Sequence, residues 1–409
     1  MKIVILEKEE ALGIGGIVMH NTRLADYLKK TGHTVSIIRF SNNKKRERNV
    51  FYIPYHIAER RTFIFVPSEK TDNLLRKYLR KIKPDIVHFC LGISPFDLFI
   101  PNICHDLKIP VVGIIHGDIG KGNSAYNFIG KSVFLAFIPI LNQLDSFIVF
   151  SEESRKFFIK HGINSKKIQV IPNGVDTNLY SPGASQFYIK HNLKKCVVFV
   201  GRMTKIKNPE VLIKSFLEIN PNKNTKLVLV GTGDLEKELK EMYGDDRIIF
   251  TGLIKDEEKK IDILRSCQIF VLPSGYEGMS LALLEAMSSG LACIATDVGA
   301  HPELLKNAGI VIPHNNLSHG LPMALNMLLE NPWLVAEFGK RARKKILKSY
   351  SNETIMPKYV ELYQETVAGF QKNGYQKTSP IDLASPIIKR LEKFWKQAKK
   401  LSSDYLFTL

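Results

Sequence analysis

Two carboxylates eight residues apart, Glu277 and Glu285, bracket a loop broken by proline and glycine and the first turns of a short helix. The stretch reads as a strand end (Ile269 to Leu272), a loop, then a helix from about Ser280 to Ser288 stopped by Gly290, a residue suited to the left-handed conformation after a helix. At about 1.5 Å per helical residue the two carboxylates lie at most roughly 12 Å apart, the scale of a nucleotide sugar from ribose to hexose. Between them, the backbone N–H groups of Gly278, Met279, Ser280 and Leu281 are free of helical partners, and the positive end of the helix favours a diphosphate. A solvated loop glutamate and a surface helix glutamate produce the same spacing, so the pair alone leaves both readings open.

Other residues extend the anionic theme. Arg202 and Lys207 follow the apolar run 196–200 at the start of a helical pattern, where positive charge is mildly unfavourable, and that conflict argues for a bound anion. His116 closes the strand Val111 to Ile115, and a histidine at the carboxyl end of a strand points at the crevice of an open α/β sheet. His88 lies inside its own strand and is expected to be structural. Gly15 and Gly16 precede a helix from about Val18 to Lys30 and allow close approach of a phosphate, although a tight turn explains them equally well. Gly231 and Gly233 form a second glycine turn after the run 227–230, weak evidence by itself.

The segment from Glu277 through Glu285 resembles the Glu-x7-Glu motif of the retaining glycosyltransferases of family 4. Gly201-Arg202 through Lys207 is similar to that family's Gly-Arg-x4-Lys, and Pro172-Asn-Gly-Val-Asp176 to its domain-end marker. Gly299-Ala-His-Pro-Glu303 resembles Gly-Gly-x-Pro-Glu with Ala300 replacing one glycine. The resemblance covers about residues 1–366. It implies a GT-B fold, two Rossmann-like α/β domains facing each other across a cleft. It further implies that Glu277 and His116 contact the transferred sugar, Arg202 and Lys207 the β-phosphate, Gly15 and Gly16 the donor phosphate, and Glu285 the ribose. Gly231, Gly233 and Ile254 would receive the base.

Elements to position these residues are legible. Apolar runs near 3–6, 35–40, 86–90, 111–116, 147–150 and 168–171 read as strands of a parallel sheet, and later runs at 196–200, 227–230, 248–254, 269–272, 292–295 and 309–312 as a second set. Ser151 reads as a helix N-cap. Tyr180 to Ser185 is rich in turn formers and reads as a linker. The expected division is 1–182 for an acceptor-binding domain, 183–349 for a nucleotide-sugar donor domain, 350–368 for a crossover helix back to the first domain, and 369–409 for a basic tail.

Composition sets the outer limits. The chain has 409 residues, 44% hydrophobic and 24% charged, as in a globular protein of two or three domains. Its five cysteines show no metal spacing and are expected to be buried free thiols in a reducing cytoplasm. The amino terminus enters a strand directly, with no signal peptide expected, and the apolar segment 133–141 is too short to cross a bilayer. Net charge is +18, distributed as +10 over 1–180, −3 over 201–335 and +8 over 336–409. Such asymmetry calls for an anionic partner, and the absence of zinc-finger, helix-turn-helix or RNA-binding signatures argues against nucleic acid. From Ile387 to Leu401 apolar residues recur at helical spacing, with Phe394 and Trp395 opposite a face carrying a net +5, the pattern of a helix on an anionic membrane surface or docked on the first domain.

The expectation is therefore a metal-independent, retaining glycosyltransferase without a cofactor, taking a UDP-sugar or GDP-sugar as donor. Its acceptor would be a lipid-linked or cell-surface glycan precursor, and its place the cytoplasm, peripheral on the inner face of the membrane. No Asp-x-Asp pair is present to hold a metal on the diphosphate. A sugar-nucleotide epimerase of similar architecture and a non-catalytic nucleotide-sugar-binding subunit are the alternatives.

Overall fold

The computed structural model describes residues 1–8, 16–41, 47–54, 56–57, 65–66, 69–91, 97, 99–117, 135, 138–191, 195–219 and 224–374. Gly15, the segment 387–401 and residues 133, 134, 136 and 137 of the apolar segment 133–141 lie outside them. The chain divides into two compact units, one comprising residues 1–171 and 356 onward apart from a few residues after Ile119, the other centred on Pro172–Ile355.

Short β-branched runs with both faces buried build the first sheet. Its strands are β1 (Lys2–Lys8), β2 (Thr34–Phe40), β3 (Val50–Ile53), β6 (Ile86–Leu91), β7 (Val111–Ile115), β8 (Ser146–Val149) and β9 (Ile168–Val170), with β4 (His56–Ile57) and β5 (Phe65–Val66) pairing separately. The order is β3-β2-β1-β6-β7-β8-β9, and all pairings are parallel. The strand order reverses between β1 and β6, and His116 follows β7 one strand further along. Helices α1 (Gly16–Lys30), α2 (Glu69–Ile82), α3 (Ile100–Asp106) and α4 (Glu152–Lys160) complete this part, and Leu75, Leu79, Ile100, Ile103 and Phe158 join the strands in its core. Ser151 caps α4 as expected, its hydroxyl accepting from the Ser154 N–H. Strand β3 was not foreseen, because it is partly exposed and follows a run of charged residues.

The second sheet runs β12-β11-β10-β13-β14-β15, again all parallel, with strands β10 (Lys195–Val200), β11 (Thr225–Val230), β12 (Ile248–Gly252), β13 (Ile269–Leu272), β14 (Ala292–Thr296) and β15 (Gly309–Ile312). Its order reverses between β10 and β13. The helices are α5 (Gln186–Lys190), α6 (Pro209–Glu218), α7 (Glu236–Met242), α8 (Glu257–Ser266), α9 (Leu281–Ser288), α10 (His301–Leu305), α11 (Leu317–Glu330) and α12 (Pro332–Ser349). A final helix α13 (Asn352–Asn373) begins in this unit and belongs to the first from Met356 on.

Two details depart from the sequence reading. The units divide after Ile171, ahead of the boundary at 182. The turn-rich linker is packed into the second unit, where Arg343 donates to the carbonyls of Thr177 and Tyr180 and to Ser288, and Tyr180 is fully buried. The cysteine expectation is corrected as well: Cys196 and Cys267 pair as a disulfide with a Cα separation of 4.5 Å, while Cys90, Cys104 and Cys293 are buried and free. No local spacing signals this pair. It arises because β10, which carries Cys196, lies beside β13, and Cys267 is two residues ahead of β13.

Candidate active site

Ligand crevices of open α/β sheets lie outside the carboxyl ends of strands where the order reverses. In the second unit that point is flanked by the loops after β10 and β13. These are the loops that carry Arg202, Lys207 and Glu277. The Gly275 N–H donates to the Ile206 carbonyl at 2.7 Å, and Asn208 Nδ2 donates to the Pro273 carbonyl at 2.9 Å. So clasped, the loops bring Lys207 Nζ into a salt bridge with Glu277 Oε1, which also accepts from Ser274 Oγ at 2.9 Å. Burial by itself raises the Glu277 pKa, but the Lys207 charge, His301 and the hydrogen bonds from Lys207 and Ser274 outweigh it and hold the carboxyl below its ordinary value. Arg202 is exposed and makes no ion pair with a described residue.

The glycine turn after β11 backs this arrangement. Gly231 has φ 134°, and a Cβ there would run into the Gly201 carbonyl. Gly201 and Met203 donate backbone hydrogen bonds to Val230 and Thr232, so the two loops lie strand-like against each other. Gly233 packs on the Met203 backbone, where a Cβ would lie 2.5 Å from the carbonyl oxygen. Ile254, half-buried, follows β12 at the same end of the sheet.

Helix α9 begins where the sequence places it. The Ser280 hydroxyl accepts from the Leu283 N–H at 3.3 Å, and Gly290 after the helix has φ 80°. Among the described residues, none accepts a hydrogen bond from the N–H groups of Gly278, Met279, Ser280 or Leu281. The carbonyls of this turn are occupied: Asn173 Nδ2 donates to Met279, and Ala300 N–H donates to Gly278. Ala300 has φ −80°, so the replacement of a glycine there costs nothing, whereas the retained Gly299 has φ 57° and abuts the carbonyls of Glu277 and Gly278.

Glu285 is 3% exposed and lies 3.1 Å from Lys260 Nζ on α8, so it is not a solvated surface residue. Lys260 is a residue the sequence reading missed, since a lysine in a Lys-Lys run of an amphipathic helix gives no sign of turning inward. His301 was missed likewise. It is fully buried, its Nδ1 lies 3.1 Å from the Thr296 carbonyl, and it contributes to the field at Glu277.

In the first unit His116 follows β7 with its Nε2 3.6 Å from the Cys90 sulfur, edge-on to His20 and Phe150. Gly16 is the exposed first residue of α1, and a Cβ there would meet no atom of the described residues within 4 Å. His88 is buried and bonded to the Tyr363 hydroxyl at 2.8 Å, and burial with His20 nearby pushes its pKa down to about 3, as suits a structural histidine.

Comparison with known proteins identifies the family. Residues 14–179 match the family model Glycosyltransferase Family 4, and residues 194–331 match Glycosyl transferases group 1. The UDP-Gal:alpha-D-GlcNAc-diphosphoundecaprenol alpha-1,3-galactosyltransferase of Escherichia coli is 30% identical over 316 residues, 72% of this chain and 78% of that protein. Among solved structures, sucrose-phosphate synthase of Thermosynechococcus elongatus aligns with a TM-score of 0.73 at 20% identity, covering 90% of this chain and 100% of that one. Anabaena HepE in complex with UDP aligns with a TM-score of 0.72 at 17% identity, covering 89% and 100%. These structural likenesses establish the GT-B fold class, two parallel-sheet α/β units. With its family models, its relatives and its fold in agreement, the chain belongs to the glycosyltransferases of family 4.

Proposed function

We propose that this glycosyltransferase moves a sugar from a UDP-sugar or GDP-sugar to a lipid-linked or cell-surface glycan precursor, with retention of anomeric configuration and without a metal. The observation that carries the reading is the Lys207–Glu277 salt bridge at the reversal point of the second sheet, beside a helix start where the N–H groups of Gly278 to Leu281 have no acceptor among the described residues. A diphosphate placed there would meet Lys207, Arg202 and the α9 N-terminus, which offset the charge developing as the nucleoside diphosphate leaves. Glu277 would accept hydroxyl hydrogens of the sugar, and Glu285, kept in place by Lys260, those of the ribose. Glu277, held by Lys207 and Ser274, is assigned to sugar binding and not to covalent attack. In the front-face reaction the sugar–phosphate bond breaks, the acceptor oxygen bonds to the anomeric carbon on the same face, and the acceptor proton passes to the leaving phosphate. The Escherichia coli relative, named for a UDP-Gal donor and a diphosphoundecaprenol acceptor, supports a nucleotide sugar and a lipid-linked glycan for this chain too.

Thermal shift against UDP-, GDP- and ADP-sugars identifies the donor, since a ligand at 100 times its Kd adds about 2.7 kcal/mol. NMR of the product made with that donor then gives the anomeric outcome. A product of inverted configuration overturns retention. An isomerised sugar nucleotide with no acceptor-linked product indicates an epimerase instead, and binding without turnover a silent subunit.

A further inference from the structure

Behind His116 runs a buried chain of polar side chains that the proposed reaction does not itself use. Glu7, on β1, accepts from Arg39 Nε at 2.6 Å and from Asn21 Nδ2 at 3.1 Å. A carboxylate can only accept, so the Asn21 amide must turn its nitrogen to Glu7 and its oxygen the other way. That oxygen receives the Cys90 thiol at 3.3 Å. A thiol has one hydrogen, and it is spent on Asn21. What the sulfur offers to His116 Nε2, 3.6 Å away and within reach of this large atom, is therefore a lone pair.

We propose that Glu7, Asn21 and Cys90 act as positioning residues, a one-way hydrogen-bond chain that fixes His116 as the Nε2–H tautomer and leaves Nδ1 to accept from a substrate hydroxyl. The ligand in this statement rests on the proposed function; the tautomer does not. Burial, with His20 and His88 close by, holds the His116 pKa well below its ordinary value, so the ring is neutral and one tautomer must be chosen. Burial also pushes the Cys90 thiol up to about 12, which keeps the hydrogen on the sulfur. His20 and Phe150, with ring centroids at 4.9 and 5.3 Å, hold the imidazole edge-on and limit its rotation. Among the described residues Nδ1 has no hydrogen-bond partner.

Long-range 1H–15N spectra of the 15N-histidine-labelled full chain test the proposal directly. At neutral pH the His116 ring should show a protonated Nε2 and an unprotonated Nδ1. Cys90→Val should mix the tautomers and lower kcat about tenfold with the donor KM changed less than about twofold, while Cys90→Ser, which keeps a donor and a lone pair, restores both. A wild-type ring protonated on Nδ1 overturns the proposal, and this needs no variant to fold. So does a Cys90→Val protein with wild-type tautomer and kcat. If His116→Ala turns over at the wild-type rate, the ring has no part in the reaction even where the tautomer is as stated, so the two failures are distinguishable.

Discussion

At the scale of single residues, the Lys207–Glu277 bridge is the charge pair on which the proposed function rests. Lys207→Ala is expected to lower kcat at least about a hundredfold through lost stabilisation of the leaving diphosphate, measured with the identified donor on protein shown to be folded. The same substitution removes the charge that opposes burial at Glu277. In the wild type the depressed Glu277 pKa means that its contribution to stability is present above the ordinary carboxylate range and is lost as pH falls through the lower, folded value. In Lys207→Ala burial acts with less opposition and the folded pKa rises, so the Glu277 share of acid destabilisation shrinks, and unfolding followed by circular dichroism should show stability falling less steeply below the ordinary carboxylate range than in wild type. An unchanged acid limb together with an unchanged kcat would remove Lys207 from the site.

At the scale of elements, loops and helices are held by side chains far apart in sequence. Arg343 on α12 donates to the carbonyls of Thr177, Tyr180 and Ser288 and to the Ser288 hydroxyl, which is how the segment after Ile171 is fastened to the second unit. Burial lowers its pKa, and its recorded hydrogen bonds go to neutral oxygens. Arg343→Met keeps the apolar stem but takes this donor from the Thr177 and Ser288 carbonyls, while Tyr180 keeps the Ser288 hydroxyl, so a loss of about 2–4 kcal/mol is expected from urea unfolding of the second unit, at about 1–3 kcal/mol per unsatisfied buried group. Substitution of the Ser280 cap is a smaller perturbation. Ser280→Ala should cost about 1 kcal/mol of stability and, on the proposed function, weaken donor binding, because the cap fixes the turn proposed to hold the diphosphate.

For the whole molecule, charge distribution and the absence of an Asp-x-Asp pair carry two expectations. Transfer should proceed unchanged in EDTA, and full loss restored by added Mg²⁺ would show that the cationic side chains do not act alone. No described helix is long and apolar enough to cross a membrane. The basic face in 387–401 lies outside the described residues, and its role as an anchor is a proposal. A chain ending at Gly374 keeps α13 complete, and it should lose co-sedimentation with anionic vesicles at low salt relative to the full chain. Equal binding by both would transfer the membrane contact to the +10 of residues 1–180.

Local sequence determined the strands and the motif loops, because buried parallel strands are uninterrupted apolar runs and a loop that must bring backbones together needs glycine. Ile269–Leu272 followed by the capped helix at Ser280 and the glycines 231 and 299 are cases in point. Tertiary structure alone decided which distant groups meet. Lys260 beside Glu285, Cys196 beside Cys267, Arg343 over the linker and the chain from Glu7 to His116 all join residues on different elements. Their pairing follows from strand order and helix rotation, which no local spacing encodes. The early division after Ile171 has the same cause, since turn-forming residues mark where a chain can bend, but only packing shows which unit buries the bend.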